Sequence, residues 1–128
     1  MKFTIAGKAL LAAVAVAAIA GAQSPMQSQQ GTPLTFTGTV IDVSCKIVNN
    51  AGGADHVMCA QTCADKGQPL ALLAADSTFY LPVNSGMGTD GENKRLRPFA
   101  EQRVSVTGRV IKRAGMNAIV IERIARAS

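Results

Sequence analysis

Residues 34–43, with the sequence LTFTGTVIDV, alternate apolar and polar side chains and are rich in threonine and valine. This alternation predicts a half-buried β-strand. The alternation slips at Gly38, because Val40 keeps the face of the earlier apolar residues whereas Ile41 falls on the opposite face. A glycine at such a slip is typical of a bulge or tight bend, which small barrels need at their corners.

The rest of the chain predicts one short helix and four further strands. The helix is expected at residues 56–66, HVMCAQTCADK, with Asp55 as its N-cap and Gly67 just past its end. Short apolar runs separated by turn residues predict two hairpins. Their four strands are expected at residues 70–74, 78–83, 103–112 and 116–124.

The predicted order is strand, helix, hairpin, long loop and hairpin. The segments GTVIDV and FAEQRVSVTGRVIKRAGMNAIVIERI resemble the first and last strands of OB-fold domains. We therefore expect a mostly β fold at residues 34–126, a small five-stranded OB-like antiparallel barrel forming a single domain. One short helix is expected between strands 1 and 2, earlier than in the standard OB-fold, where the helix follows the third strand.

The N-terminus has the features of a secretory signal peptide at residues 1–22. Lys2 and Lys8 precede the apolar run ALLAAVAVAAIA, which is too short to span a bilayer and ends in the cleavage pattern AGA. We expect a periplasmic or secreted protein, cleaved near Ala22, with no membrane span. The polar residues 23–33, QSPMQSQQGTP, predict a flexible leader.

The charge and composition of the mature chain argue against several functions. Two of the 13 Lys and Arg residues leave with the signal peptide, so 11 face 8 acidic residues and the net charge is +3 (11 − 8). With no tryptophan and one tyrosine, the chain has few aromatic platforms for nucleic acid, which makes such binding unlikely. It lacks paired carboxylates, a Ser/His/Asp set and a phosphate-binding loop, and has one histidine, so we expect no enzyme.

Residues 84–98, NSGMGTDGENKRLRP, contain several glycines and mixed charges but no apolar period. They predict a long loop, and long loops in small domains are either mobile or functional. This loop is the segment that we expect to contact a protein partner, if there is one.

Residues 45–63, CKIVNNAGGADHVMCAQTC, contain all three cysteines and the only histidine. On a helix, His56, Cys59 and Cys63 fall at i, i+3 and i+7 and project from one stripe. Cys45 follows the first strand and can approach that stripe when the helix packs back on the sheet. Three thiolates and an imidazole are a known ligand set for zinc, and soft thiolates also select Cu(I). The sequence thus predicts a zinc or copper site at Cys45, His56, Cys59 and Cys63.

A disulfide is the alternative use of these cysteines, and export to an oxidising compartment favours it. Cys59 and Cys63 are four residues apart on the helix, too far for a good bridge, so Cys45 would pair with one of them. The chain would then be a disulfide-stapled binding or interaction module without metal. Redox catalysis is a weaker third interpretation, because there is no Cys-x-x-Cys motif.

Most of the mature chain resembles a family of small exported bacterial domains of undetermined function. The shared frame is Gly-x-Val-x-Asp-x-x-Cys, a variable loop, His-x-x-Cys-Ala-x-x-Cys-x-x-x-Gly, a hairpin and a closing Val-x-Val-x-Gly strand. In this sequence the frame falls on Gly38, Val40, Asp42, Cys45, His56, Cys59, Ala60, Cys63, Gly67 and Gly108. The resemblance implies that the Cys/His set is a family feature, and it implies no established activity.

Overall fold

The computed structural model of the protein describes residues 30–86 and 91–128. The predicted signal peptide and residues 23–29 of the predicted leader lie outside the described residues. Five strands are present in the described part of the chain: β1 Thr32–Asp42, β2 Leu70–Ala74, β3 Phe79–Pro82, β4 Arg103–Arg113 and β5 Met116–Arg126. The first strand thus begins two residues before the predicted start of the domain at residue 34.

The five strands form a closed barrel in the order β1-β2-β3-β5-β4. Four of the neighbouring pairs are antiparallel, whereas β3 and β5 are parallel, with Leu81 opposite Ala118. The prediction of a mostly β, five-stranded and mostly antiparallel barrel is therefore confirmed. Among the described residues, no helix has the length and apolar character needed to cross a membrane.

Two glycines let the strands bend into this closed shape. Gly38 pairs with Ala74 of β2 and also with Val104 of β4, so β1 changes partners there. A Cβ at Gly38 would lie 2.6 Å from the carbonyl oxygen of Leu73, so only glycine fits. At Gly108 the register of β4 against β5 shifts, which is the bulge expected of a glycine at a barrel corner.

The interior of the barrel is apolar, and every second residue of β4 from Val104 to Val110 points into it. These side chains meet the inward-facing residues of the other strands. The buried cluster consists of Val40, Ala64, Leu70, Leu72, Leu96, Val104, Val106, Val110, Ile119 and Ile121.

The connection between β1 and β2 holds two helices, not the single one predicted. Helix α1 spans Val43–Asn49, a 3-10 turn spans Ala54–His56, and α2 spans Val57–Asp65. No apolar periodicity marks α1, because none of its residues is buried. Asp42 starts α1 instead, since its side chain accepts a hydrogen bond from the N–H of Cys45 at 3.0 Å.

The predicted long loop at residues 84–98 is also partly helical. Its second half forms α3 at Asn93–Leu96, followed by a 3-10 turn at Arg97–Phe99. Leu96 is fully buried and anchors this segment to the core. A single apolar residue produces no periodicity, which is why the sequence pattern predicted a loop.

The close approach at Gly38 predicts that a methyl group cannot be accommodated there. Gly38→Ala should lower the free energy of unfolding by about 1–3 kcal/mol, because the new Cβ would overlap the backbone of β2. Urea unfolding monitored by circular dichroism measures this change. The control is Ser105→Ala, at an exposed position of β4 that also pairs with β1, and it should change stability by less than about 0.5 kcal/mol. Equal stability of the two variants would contradict the close approach of β1 and β2 at Gly38.

Candidate metal centre

Helix α2 carries two of the candidate ligands, and its end is fixed by a glycine. Gly67 has φ +92°, and its N–H donates to the carbonyl of Ala64 while the N–H of Gln68 donates to that of Cys63, both at 3.0 Å. This is the Schellman arrangement, and it confirms Gly67 as the predicted C′ residue. The prediction that Asp55 is the N-cap of this helix is wrong. The helix α2 continues directly from the 3-10 turn, and His56 occupies the N-cap position.

Side chains from α3 and from the 3-10 turn after it contact the end of α2. Arg97 donates two hydrogen bonds to the carboxylate of Asp65, at 2.5 and 2.8 Å. The amide of Asn93 donates to the carbonyl of Ala64 at 3.2 Å and accepts from the N–H of Leu70 at 3.0 Å. The segment predicted as a loop therefore positions the helix that carries Cys59 and Cys63.

The three cysteines lie together. The Sγ atoms of Cys45, Cys59 and Cys63 are all within 4.8 Å of one another. Cys45 and Cys63 are half-buried, whereas Cys59 is exposed. Around a tetrahedral zinc ion with Zn–S bonds of about 2.3 Å, sulfur atoms are about 3.8 Å apart, so little movement would be needed to bind one.

The disulfide that the sequence left open is not formed, because all three cysteines are free in the described part of the chain. A disulfide between any two of the cysteines would leave the third as a single thiol beside it. A metal ion placed between the three sulfurs, which lie within 4.8 Å of one another, would use all of them.

His56 is close to Cys45 but belongs to a second group of donors. A ring nitrogen of His56, a carboxylate oxygen of Asp42 and the Sγ of Cys45 all lie within 4.8 Å of one another. The His56 side chain is 13% exposed, so it faces the protein rather than solvent. The four predicted ligands thus fall into two overlapping groups, with Cys45 in both and Asp42 as an added member.

Glu101 is a part of this region that the sequence did not reveal. Its carboxylate is hydrogen-bonded to His56 Nδ1 at 2.9 Å and accepts from the N–H of Gly53 at 3.1 Å. Its side chain is only 2% exposed. An ionised carboxylate only accepts hydrogen bonds, so Nδ1 carries the proton and Nε2 keeps the lone pair that can bind a metal. Carboxylates commonly orient metal-binding histidines in this way.

The backbone of Glu101 is strained, with φ +58° at a residue other than glycine. Its N–H donates to the carbonyl of Val40 at 2.7 Å, which fixes this residue to β1. Strained backbone that is held by its surroundings is concentrated at functional sites. No motif marks Glu101 in the sequence, since it lies 45 residues from His56 and outside the cysteine segment.

Asp42 makes the cysteine region strongly negative. The contact with its carboxylate is the main reason that the pKa of the Cys63 thiol is raised to about 12, with burial as the next cause. Burial, followed by the charge of Asp42, also raises the pKa of the Cys45 thiol. Both thiols therefore keep their protons at neutral pH unless a cation displaces them, so the affinity for a cation should rise with pH.

Comparisons with known protein families, with curated proteins and with solved structures find no match to this chain. The resemblance noted in the sequence accordingly stays a prediction, and the site is interpreted from its own geometry.

The environment of Glu101 predicts an order of stability among its variants. Glu101→Ala loses the bonds to His56 and Gly53 and should lower the free energy of unfolding by about 1–2 kcal/mol. Glu101→Gly loses the same bonds but suits a positive φ, so it should be more stable than Glu101→Ala by about 1 kcal/mol. Urea unfolding of the metal-free proteins measures both. If Glu101→Ala were as stable as Glu101→Gly, the backbone at residue 101 would not be strained.

Proposed function

We propose that this chain is an exported OB-like domain that binds one transition-metal ion, zinc or copper, through Cys45, His56, Cys59 and Cys63. The observation that carries the proposal is the convergence of three sulfur atoms within 4.8 Å, overlapping with a second donor group that contains His56. Soft sulfur donors with an imidazole match the preferences of Zn²⁺ and Cu⁺.

The OB-like assignment is supported by the order of the strands and by one helix. The barrel order β1-β2-β3-β5-β4, with a parallel pair between β3 and β5, agrees with a five-stranded OB-like barrel. The segment with α3 follows the third strand, where the standard OB-fold has its helix. The longer excursion with α1 and α2, which carries the cysteines, is then an insertion between strands 1 and 2.

A structural contribution of the metal is supported by the poor packing of α1. This helix buries none of its residues, and Ile47 and Val48 are 70% and 78% exposed. A metal bound to Cys45 would tie α1 to α2 and to the end of β1. An ion that binds only the folded chain adds stability, about 4 kcal/mol at a free concentration 1,000 times its Kd.

Sequestration or carriage of the ion is supported by the exposure of Cys59. A ligand at the surface gives the ion a route in and out, and a compartment outside the cytoplasm is where the predicted signal peptide would deliver the protein. We propose no catalytic role, since the sequence has no Cys-x-x-Cys motif, no paired carboxylates and no phosphate-binding loop.

The proposal predicts that purified mature protein binds one equivalent of metal. Substitution of Cys45, Cys63 or His56 by serine or alanine should weaken zinc binding by more than about 100-fold, beyond the usual effect of a residue that only supports a ligand. Competition with a chromophoric chelator measures the affinity. The control, Met58→Leu, alters an exposed neighbour of Cys59 and should change the affinity less than about twofold. Wild-type protein that fails to bind zinc and Cu⁺ would refute the proposal.

Thiol counting separates the metal site from the stapled module. Protein purified without reductant, stripped of metal and denatured, should contain three free thiols, because a bound ion protects all three from oxidation. A count of one would show that two of the three cysteines form a disulfide, and the metal proposal would then fail. Mass spectrometry after alkylation gives the same count independently.

A further inference from the structure

Asp42 is a buried acid whose second oxygen has no role in the fold. It is the last residue of β1 and has no exposed surface. Its Oδ1 accepts the hydrogen bond from Cys45 N–H at 3.0 Å and so caps α1. Its Oδ2 has no nitrogen or oxygen hydrogen-bond partner among the described residues, and its neighbours are the Cys45 and Cys63 thiols, whose contact with this carboxylate raises their pKa. A buried polar atom without a partner is destabilising, and more so when it is charged.

No positive side chain in the described ranges offsets this carboxylate. The ion pairs there join His56 to Glu101, Arg95 to Glu92 and Arg97 to Asp65, and none involves Asp42. Its close neighbours are instead other metal-ligating groups, Cys45 and His56, whose donor atoms lie within 4.8 Å of a carboxylate oxygen. Glu101 adds a further negative group behind His56, at 2.9 Å from Nδ1.

We propose that the Asp42 carboxylate is itself a ligand of the bound ion, a fifth donor beside the three sulfurs and His56, and that it makes the site selective for divalent zinc over monovalent copper. This inference rests on the proposed function of the same site. Zinc accepts carboxylate oxygen at about 2.0–2.2 Å as well as sulfur and nitrogen, whereas Cu⁺ is selected by soft sulfur donors. An oxygen ligand therefore stabilises the zinc complex and contributes little to the copper complex.

The charge of the site supports the same choice. With three thiolates and the Asp42 carboxylate, four negative charges surround the ion. Zn²⁺ leaves a net charge of −2, whereas Cu⁺ leaves −3, and no lysine or arginine forms an ion pair with Asp42 within the described chain. The buried charge thus favours the ion that carries more positive charge.

Asp42→Asn separates the role of the carboxylate as a ligand from its role as a helix cap. The amide keeps an oxygen that can accept from Cys45 N–H, but it is neutral and a poor zinc ligand. The matched control is Asp55→Asn, which removes the same charge from an exposed residue next to His56. Zn²⁺ and Cu⁺ affinities of the full mature chain are measured by competition with a chromophoric chelator for each ion.

We expect Asp42→Asn to weaken zinc binding at least about 10-fold. Its Cu⁺ affinity should stay equal or increase, and Asp55→Asn should change either affinity less than about twofold. The metal-free Asp42→Asn protein should keep the fold of the wild type, because the amide oxygen can still accept from Cys45 N–H and cap α1. An unchanged zinc affinity, or an equal loss for both ions, would overturn the inference and leave the metal site itself standing.

X-ray absorption at the zinc edge of the wild-type protein tests the ligand without any substitution. The inference predicts at least two nitrogen or oxygen donors, one from His56 and one from Asp42, beside the sulfur donors. A shell of three sulfurs and one nitrogen would contradict the role of Asp42 only. Wild-type protein that binds no metal would overturn both this inference and the proposed function.

Discussion

The end of β1 fixes the position of the donor groups, and the rest of the site depends on it. Val40 exchanges backbone hydrogen bonds with the segment before β4, accepting from Glu101 N–H at 2.7 Å and donating to the carbonyl of Gln102 at 3.1 Å. Two residues later, Asp42 ends the strand and caps α1, which places Cys45 in the first turn of the helix. The end of β1 thereby fixes Asp42, Cys45 and Glu101, the residue that orients His56.

This arrangement explains how a small barrel can support a metal site in the weakly packed connection between β1 and β2. The hydrogen bonds of Glu101 to His56 and Gly53 hold the 3-10 turn before α2 in place. The contacts of Asn93 and Arg97 hold the C-terminal end of α2. Helix α1 buries none of its residues, and only its first turn is tied to the segment after α2 among the described contacts, through Val43 N–H on the carbonyl of Pro69 at 3.1 Å and Ser44 on Gln68 at 2.8 Å. The thiol of Cys45 is its link to the other donors, so metal binding and the order of α1 should be coupled.

The sequence predicted the elements in which a pattern of residues repeats, and it did not predict the elements whose position depends on a single residue. Alternation in the strands, the slip at Gly38 and the stop at Gly67 predicted the barrel and the end of α2. The i, i+3, i+7 spacing on the helix predicted that Cys59 and Cys63 share a face, and the structure brings Cys45 to them. Helix α1 and α3 were missed because the first buries no residue and the second buries only Leu96.

The acidic members of the site could not be found in the same way. In the sequence, Asp42 looks like an ordinary acidic residue at the end of a strand. Only its complete burial, with one oxygen that lacks a nitrogen or oxygen partner, marks it as a candidate ligand. Glu101 is brought to His56 by barrel closure, a long-range contact that leaves no local spacing to detect. Its positive φ, which favours glycine, becomes visible only once the backbone is known.

The central claim is that a single ion joins α1, α2 and the end of β1 through Cys45. The most direct measurement is a crystal structure of the zinc-loaded protein, with anomalous diffraction recorded on both sides of the zinc edge. The account predicts one anomalous peak within bonding distance of Cys45 Sγ and His56 Nε2, with Glu101 still bonded to Nδ1. A bridge from Cys45 to Cys59 or Cys63, or a peak elsewhere on the surface, would contradict it.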